Sequence, residues 1–386
     1  MATQPHSLRT SQYRRACEYD AFVPVPLADL RLALPGDVAG VISDSEKAVT
    51  ALNHVAGAEL MPLARLLLRT ESIASSKVEG MQMDARTLAR AEANQETGRR
   101  IGSDAIEILA NIDAMQLAID RASSLEGIRP QDLIDIHRLL LRHAQNSRIA
   151  GRLRTSQNWI GDNNYNPCGA HFVPPPPGEV ERLLEDLCRF SNEEELPALV
   201  QAAIAHAQFE TIHPFGDGNG RTGRALVQVI LRRRGLAPTF VPPISVMLAR
   251  DQERYIKGPT LFREDRIAEW LEIFAIAAGQ AAELAVRYSR QVADLQAGWR
   301  QQLHEHSNPR SDSAAWAIIN ILPAHPIVTV PIAVAATKRG KSAVTIAVAQ
   351  LSEAGVLQQL SVSARNRAWE ANGLLDLIVR LKSGAE

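Results

Sequence analysis

The sequence predicts a mainly α-helical protein with one small β-hairpin and a mixed C-terminal domain. Three observations carry this reading. Apolar residues recur every three or four positions through most segments between residues 37 and 290, the period of a helix face. Within that span only Gln157 to Val173 sets short aromatic or β-branched runs around a loop rich in Gly, Asn and Asp. After Ser313 the rhythm changes to short helical pieces broken by extended runs. At 386 residues, two or three domains are expected. The divisions fall at 1–100 for an N-terminal arm and helical region, 101–292 for a helical core, 293–313 for a linker and 314–386 for the last domain.

Composition excludes several classes. A net charge of −1 with 22% charged residues gives no global field for nucleic acid or an anionic membrane. Three cysteines, Cys17, Cys168 and Cys188, make no disulfide framework and fit a reducing compartment. The first residues lack the apolar core of a signal peptide, and no run of about eighteen apolar residues occurs. A cytoplasmic protein without a membrane partner is expected.

In chain order, residues 1 to about 35 carry Pro24, Pro26 and Pro35, which argue for an irregular arm lying across later helices. Helical spacing holds from Asp37 to Asn53 and from Glu59 to Glu79 (Leu60, Leu63, Leu66, Leu67), with Gly80 placed as a C-terminal cap. Glu79 then faces the negative end of its own helix dipole, which costs a few tenths to about 1 kcal/mol unless a cation answers it. Ser75 shares its face one turn earlier. Residues 102–141 are helical again (Ile106, Leu109, Ile112, Leu117, Leu133, Ile136, Leu139, Leu140), with His137 and His143 read as packing or solvent-facing. The hairpin follows, with Trp159-Ile160-Gly161 on one arm and His171-Phe172-Val173 on the other. Cys168 and His171 are too few for a metal site. Two helical runs, 180–190 and 196–212, lead on, the second carrying His206 as a core or supporting residue.

The second run ends in His213-Pro214-Phe215-Gly216-Asp217-Gly218-Asn219-Gly220-Arg221-Thr222-Gly223-Arg224, after which helical spacing resumes. Pro214 resists continuing the helix, and Gly216, Gly218 and Gly220 let the backbone turn sharply. A new helix beginning here presents unpaired N–H groups and a positive dipole end to anions. Arg221 and Arg224, three apart on one helix face, offer two forks for phosphate oxygens. Asp217 supplies a hard oxygen ligand for Mg, which binds through one or two carboxylates plus substrate phosphates. His213 is the one group here that accepts a proton near neutral pH. A base, a metal carboxylate and a phosphate cradle together point to transfer from a nucleotide.

Beyond Gly235 a Pro-rich connection reaches a helix with Arg250 and Tyr255; the tyrosine either borders an adenine pocket or is an ordinary core residue. Ile267 to Tyr288 is a packing helix, and the polar stretch after Gln291 reads as its end and a linker. Then come helices at Trp316–Leu322, Ile332–Thr337 and Ser342–Ala354, an extended Ile327–Val330, and strands Val356–Leu360 and Arg367–Glu370 around Ser361–Asn366. This resembles a winged helix-turn-helix, with Arg365 and Arg367 on the wing. The helix placed for recognition carries almost no cations, so dimerisation or target docking is favoured over DNA binding.

The twelve-residue segment resembles the signature of the Fic family, His-x-Phe-x-(Asp/Glu)-Gly-Asn-Gly-Arg-x-x-Arg, at every fixed position. The resemblance implies a Fic-type helical core and a protein adenylyltransferase that moves AMP from ATP to a hydroxyl side chain of a protein. On it, His213 is the base, Asp217 holds Mg, and Gly216, Gly218, Asn219 and Gly220 face the phosphates. Arg221 and Arg224 hold the outer phosphates, and Phe215 anchors the loop. Ser75, Glu79 and Gly80 match the family's inhibitory pattern (Ser/Thr)-x-x-x-Glu-(Gly/Asn), in which the glutamate pairs with the second arginine, here Arg224. The hairpin becomes a flap that docks the target by strand addition. Self-modification and a homodimer are compatible with this. Two alternatives stand: removal of AMP using Glu79, and a DNA-binding regulator in which the domain is a sensor.

Overall fold

The computed structural model describes residues 18–54, 61–96, 98–122, 126–161, 166–360 and 367–383. Helix dominates. The first five helices are α1 (Gly36–His54), α2 (Met61–Val78), α3 (Ala85–Glu96), α4 (Ser103–Ala122) and α5 (Pro130–Leu141). The next five are α6 (Val180–Asn192), α7 (Ala198–Ile212), α8 (Asn219–Arg233), α9 (Ile244–Arg250) and α10 (Gln252–Arg263). Then come α11 (Ile267–Ser307), α12 (Ala314–Ile321), β1 (Ile327–Thr329), α13 (Val330–Thr337), α14 (Lys341–Glu353), β2 (Leu357–Gln359), β3 (Ala368–Ala371) and α15 (Leu374–Ser383). No helix among the described residues is long and apolar enough to cross a membrane.

The chain divides into two compact units. One takes the residues up to 43, 113–236 and 251–276; the other takes 44–112, 237–250 and 277 onward. In the first, α7 is the central element, because every residue but Glu210 is buried and its alanines let neighbours approach closely. Trp270 Nε1 donates to the Ala203 carbonyl (2.9 Å), fixing the start of α11 against it. Gln201 Nε2 closes the end of α6 by donating to the Phe190 and Glu193 carbonyls (2.8 and 2.7 Å). Helix α6 lays down Val180, Leu183, Leu184 and Leu187, the one-face spacing its sequence shows. The N-terminal arm follows this surface: Leu27 N–H donates to Asp186 Oδ2 (2.7 Å) and Phe22 N–H to the Val173 carbonyl (2.9 Å).

In the second unit α2 buries Leu63, Leu66, Leu67 and Ile73. The buried Glu71 carboxylate receives Ser245 N–H (2.8 Å) and Oγ–H (2.6 Å), which ties α2 to the start of α9, where a negative charge also suits the dipole. Asn111 Nδ2 donates to the Ser72 carbonyl and Ser76 Oγ (2.9 and 3.1 Å). The C-terminal sheet is antiparallel in the order β1-β3-β2, with Val328 opposite Trp369 and Gln358 opposite Glu370. Arg86 of α3 reaches this part, binding Glu370 and Asp376 (3.0 and 2.7 Å).

Three expectations change. The stretch read as a linker from 293 is helical to Ser307, because Gln296, Trp299 and Leu303 fall on one buried face inside an otherwise polar run. The hairpin is a single antiparallel bridge, Ile160 opposite Phe172, among the described residues; 162–165 lie outside them. Cys168 is disulfide-bonded and Cys188 is free and buried, so the cysteine count misjudged the pairing. Arg365 and its loop lie outside the described residues.

Candidate active site

The twelve-residue segment folds as the end of α7, a loop and the start of α8. His213 caps α7 in the left-handed region (φ 48°, ψ 59°), and its N–H returns to the Phe209 carbonyl. That conformation is uncommon for a side chain with a Cβ and costs about 1–2 kcal/mol. Surrounding groups hold it there. Its carbonyl accepts from Arg154 Nε (2.9 Å) and Asn158 Nδ2 (3.3 Å), and the Pro214 carbonyl accepts from Arg154 N–H (3.0 Å). Arg154 also reaches the Ile212 and Pro175 carbonyls; burial lowers its pKa to about 10. The chain reverses again at Gly218 (φ 75°), where a Cβ would lie 3.2 Å from Leu140 Cδ2. The Gly218 carbonyl then accepts from both the N–H and the Oγ1–H of Thr222, which starts α8.

Asn219 has a role that differs from the one expected. Its Oδ1 accepts from Phe215 N–H and its Nδ2 donates to the Phe215 carbonyl, both at 2.9 Å. The side chain is thus turned inward, 3% exposed, and closes the loop on itself. Only its main-chain N–H, at the first position of α8, is placed to face an anion. Phe215 is fully buried beneath this ring.

Asp217 is exposed and tethered at three points. Its Oδ1 accepts from Gly218 N–H (2.6 Å), its Oδ2 from Asn146 Nδ2 (2.6 Å), and its carbonyl meets His137 Nε2 (3.0 Å). His137 Nδ1 accepts from Gly151 N–H (3.0 Å), so the ring hydrogen must lie on Nε2 and point at Asp217. The ring stacks on Phe215 at 3.7 Å between centroids. Burial, partly offset by Asp217, drives the His137 pKa down to about 4. The histidine is packing, as expected, but packing against the loop. Among the described residues no cluster of three or more His, Cys, Asp or Glu could hold a metal. Asp217 is a carboxylate with open lone pairs, which suits Mg where substrate phosphates complete the shell.

Arg221 and Arg224 are 3% and 2% exposed on α8. Arg224 Nη1 donates to Tyr255 Oη (3.1 Å), and the same hydroxyl is hydrogen-bonded to His206 Nε2 (2.8 Å). His206 is kept neutral, its pKa down to about 3, first by burial and then by the Arg224 charge. Tyr255 stacks on His206, packs near Trp270 and is 6% exposed. It therefore supports Arg224 and offers no free face for an adenine. Helices α7 and α8 come close because Gly223 has no Cβ; one would meet His206, Phe209 and Glu210 at 3.0 Å each.

Ser75, Glu79 and Gly80 belong to the second unit. Ser75 is fully buried and Glu79 exposed. Gly80 takes φ 84°, Gly80 N–H returns to the Lys77 carbonyl and Met81 N–H to that of Ser76. This pair of bonds is a Schellman closure, which explains the glycine and puts Glu79 on the last residue of the turn. On the flap edge, Ile160 is 40% exposed and exchanges main-chain bonds with Phe172 (2.8 and 3.2 Å). Phe172 is backed by Phe22 and by the Arg263 guanidinium 3.8 Å over its ring. Trp159 and Phe172 are half-buried; Gly161 and His171 are exposed, and Val173 is buried. Sequence reading missed His137, Asn146, Arg154 and Asn158, which reach the loop from other elements and leave no local signal.

Residues 127–231 match the Fic/DOC family, and residues 41–120 match the Fic/DOC family N-terminal region. The proteins named protein adenylyltransferase Fic from Drosophila sechellia and Drosophila melanogaster are each 31% identical over 170 residues, covering 42% of this chain and 32% of theirs. The chain thus spans about a third of the length of those relatives. A Fic family protein from Desulfovibrio desulfuricans G20 shares the fold at TM-score 0.55 and 20% identity, over 89% of this chain and 98% of its own. Fic-1 from C. elegans does so at TM-score 0.51 and 20% identity, over 66% and 73%.

Proposed function

We propose that this chain, which carries a Fic/DOC family domain at 127–231 preceded by that family's N-terminal region at 41–120, is an autoinhibited protein adenylyltransferase. It takes AMP from ATP and places it on a hydroxyl side chain of a target protein. The observation that carries this reading is the loop itself: His213 held in a strained turn at one lip, the N-terminus of α8 at the other, and two buried arginines behind it.

His213 accepts the proton of the target hydroxyl, whose oxygen bonds to the α-phosphorus. The bond to the bridging oxygen breaks and pyrophosphate leaves. The first N–H groups of α8, from Asn219 onward, receive the charge that gathers on the α-phosphate. Arg221 and Arg224 take the outer phosphates through charge-assisted bonds. Asp217 would hold Mg, which when bound neutralises the phosphate oxygens. Tyr255 and His206 keep Arg224 aimed, since a neutral histidine beside it adds no competing charge.

Inhibition is read from the Ser75, Glu79 and Gly80 pattern: the Glu79 carboxylate takes Arg224 and so denies the γ-phosphate its seat. The segment around the Ile160–Phe172 bridge docks the target's main chain by strand addition, which asks no particular sequence of the partner. The domain from Ala314 is a docking or dimerisation module, since α14 offers Lys341 as its one cation and little else to phosphates.

The test is incorporation of label from ATP, carried on the α- or the γ-phosphate, into lysate proteins and into the chain itself. Glu79→Gly should raise α-label incorporation over wild type and leave γ-label at background; His213→Ala should abolish the gain. No α-label transfer by Glu79→Gly with Mg present refutes the activity.

A further inference from the structure

The imidazole of His137 lies outside the twelve-residue segment, yet it joins three parts of the loop's surroundings. Its Nε2–H points at the Asp217 carbonyl (3.0 Å), its Nδ1 receives Gly151 N–H (3.0 Å), and its face covers Phe215. Gly151 begins the segment that carries Arg154 and Asn158 to the carbonyls of His213 and Phe215. A side chain that merely filled space here would leave the Asp217 carbonyl and the Gly151 N–H without these bonds, and both directions are needed at once. Leu or Phe could supply the packing and neither bond.

We propose that His137 is a positioning residue for the metal carboxylate. By holding the Asp217 main chain from behind, it sets which carboxylate lone pairs face outward, with Asn146 fixing Oδ2 from the side. The inference rests on the adenylyltransferase reading, in which Asp217 holds Mg. Groups that orient a ligand without touching the metal typically change metal affinity by about 10–100-fold when removed.

Two substitutions separate the hydrogen bonds. His137→Gln places an amide N–H where Nε2 stood and so keeps the bond to Asp217 while losing the acceptor for Gly151. His137→Asn places a carbonyl where Nδ1 stood, keeping the Gly151 bond and losing that to Asp217. Binding of Mn with ATP, followed by electron paramagnetic resonance, reads affinity without turnover. His137→Asn should weaken it by about tenfold or more, and His137→Gln by less than about threefold. Equal weakening in both, or none in either, overturns the proposal, because bulk alone would then explain the residue. Should both variants unfold, the wild-type protein labelled with nitrogen-15 histidine decides. A neutral Nε2–H tautomer at pH 7 supports it, and an imidazolium or Nδ1–H form overturns it. With the substitutions placed in the Glu79→Gly protein, a Glu79→Gly parent that takes up no Mn with ATP would instead sink the adenylyltransferase reading, and the tautomer measurement still reports on the bond.

Discussion

Replacing Tyr255 by phenylalanine removes one oxygen and leaves ring, volume and stacking in place. That hydroxyl is hydrogen-bonded to His206 Nε2 at 2.8 Å and accepts from Arg224 Nη1 at 3.1 Å. His206 is fully buried, so losing the hydrogen-bond partner of its Nε2 costs about 1–3 kcal/mol. A hydrogen bond from a guanidinium contributes about 1.5–3 kcal/mol. Both losses share a single hydroxyl and do not simply add, so a destabilisation of about 2–4 kcal/mol is expected. Urea unfolding should show a lower midpoint with an unchanged slope. The same change separates two roles for the tyrosine. A support for Arg224 predicts weaker ATP binding with AMP binding intact, whereas an adenine shelf would keep both, since phenylalanine stacks as well. A stability change under about 0.5 kcal/mol with equal ATP affinity would refute the support role.

Two further outcomes follow from the buried polar groups. His137 and His206 have pKa values lowered to about 4 and about 3, so the folded protein keeps them neutral while the unfolded chain protonates below the ordinary 6.5. Their contribution is intact above pH 6.5 and is lost as pH falls toward 4. At about 1.4 kcal/mol per pH unit for each histidine, stability should drop by about 4–5 kcal/mol between pH 6.5 and 4.5, and a flat profile in urea titrations over that range would contradict the burial argument. Asn219→Ala opens the pair of bonds to Phe215, whose N–H then lies buried without its acceptor, a loss of about 2–3 kcal/mol. Hydrogen exchange at the Phe215 amide should accelerate by about tenfold or more, and unchanged protection would mean that the asparagine does not close the loop.

The features that were legible in the sequence are local ones. Helix faces showed as spacing, Gly80 and Gly218 as breaks in it, and both adopt positive φ as their positions require. The loop showed because proline and glycines cluster with groups of unusual chemistry. What stayed hidden depends on distant partners. Asn219 looks like a phosphate ligand until its amide is seen bonded to a residue four positions back. Tyr255 looks like a stacking residue until His206 and Arg224 claim its hydroxyl. Arg154 and Asn158 sit in a stretch read for its strand character, and nothing local says that they grip carbonyls near residue 213. The helix through Trp299 and Leu303 was masked by the polar residues between them, since an average over composition cannot see one buried stripe.

The ring that Asn219 makes with Phe215 has a thermodynamic consequence. A glycine-rich segment left free would have to surrender its torsional freedom each time an anion settled on it, at about 1 kcal/mol or more for every residue frozen. Here that disorder is given up once, when the chain folds, by an amide that grips its own neighbour. Whatever anion arrives meets donors already turned toward it, and its affinity is not diminished by the cost of arranging them.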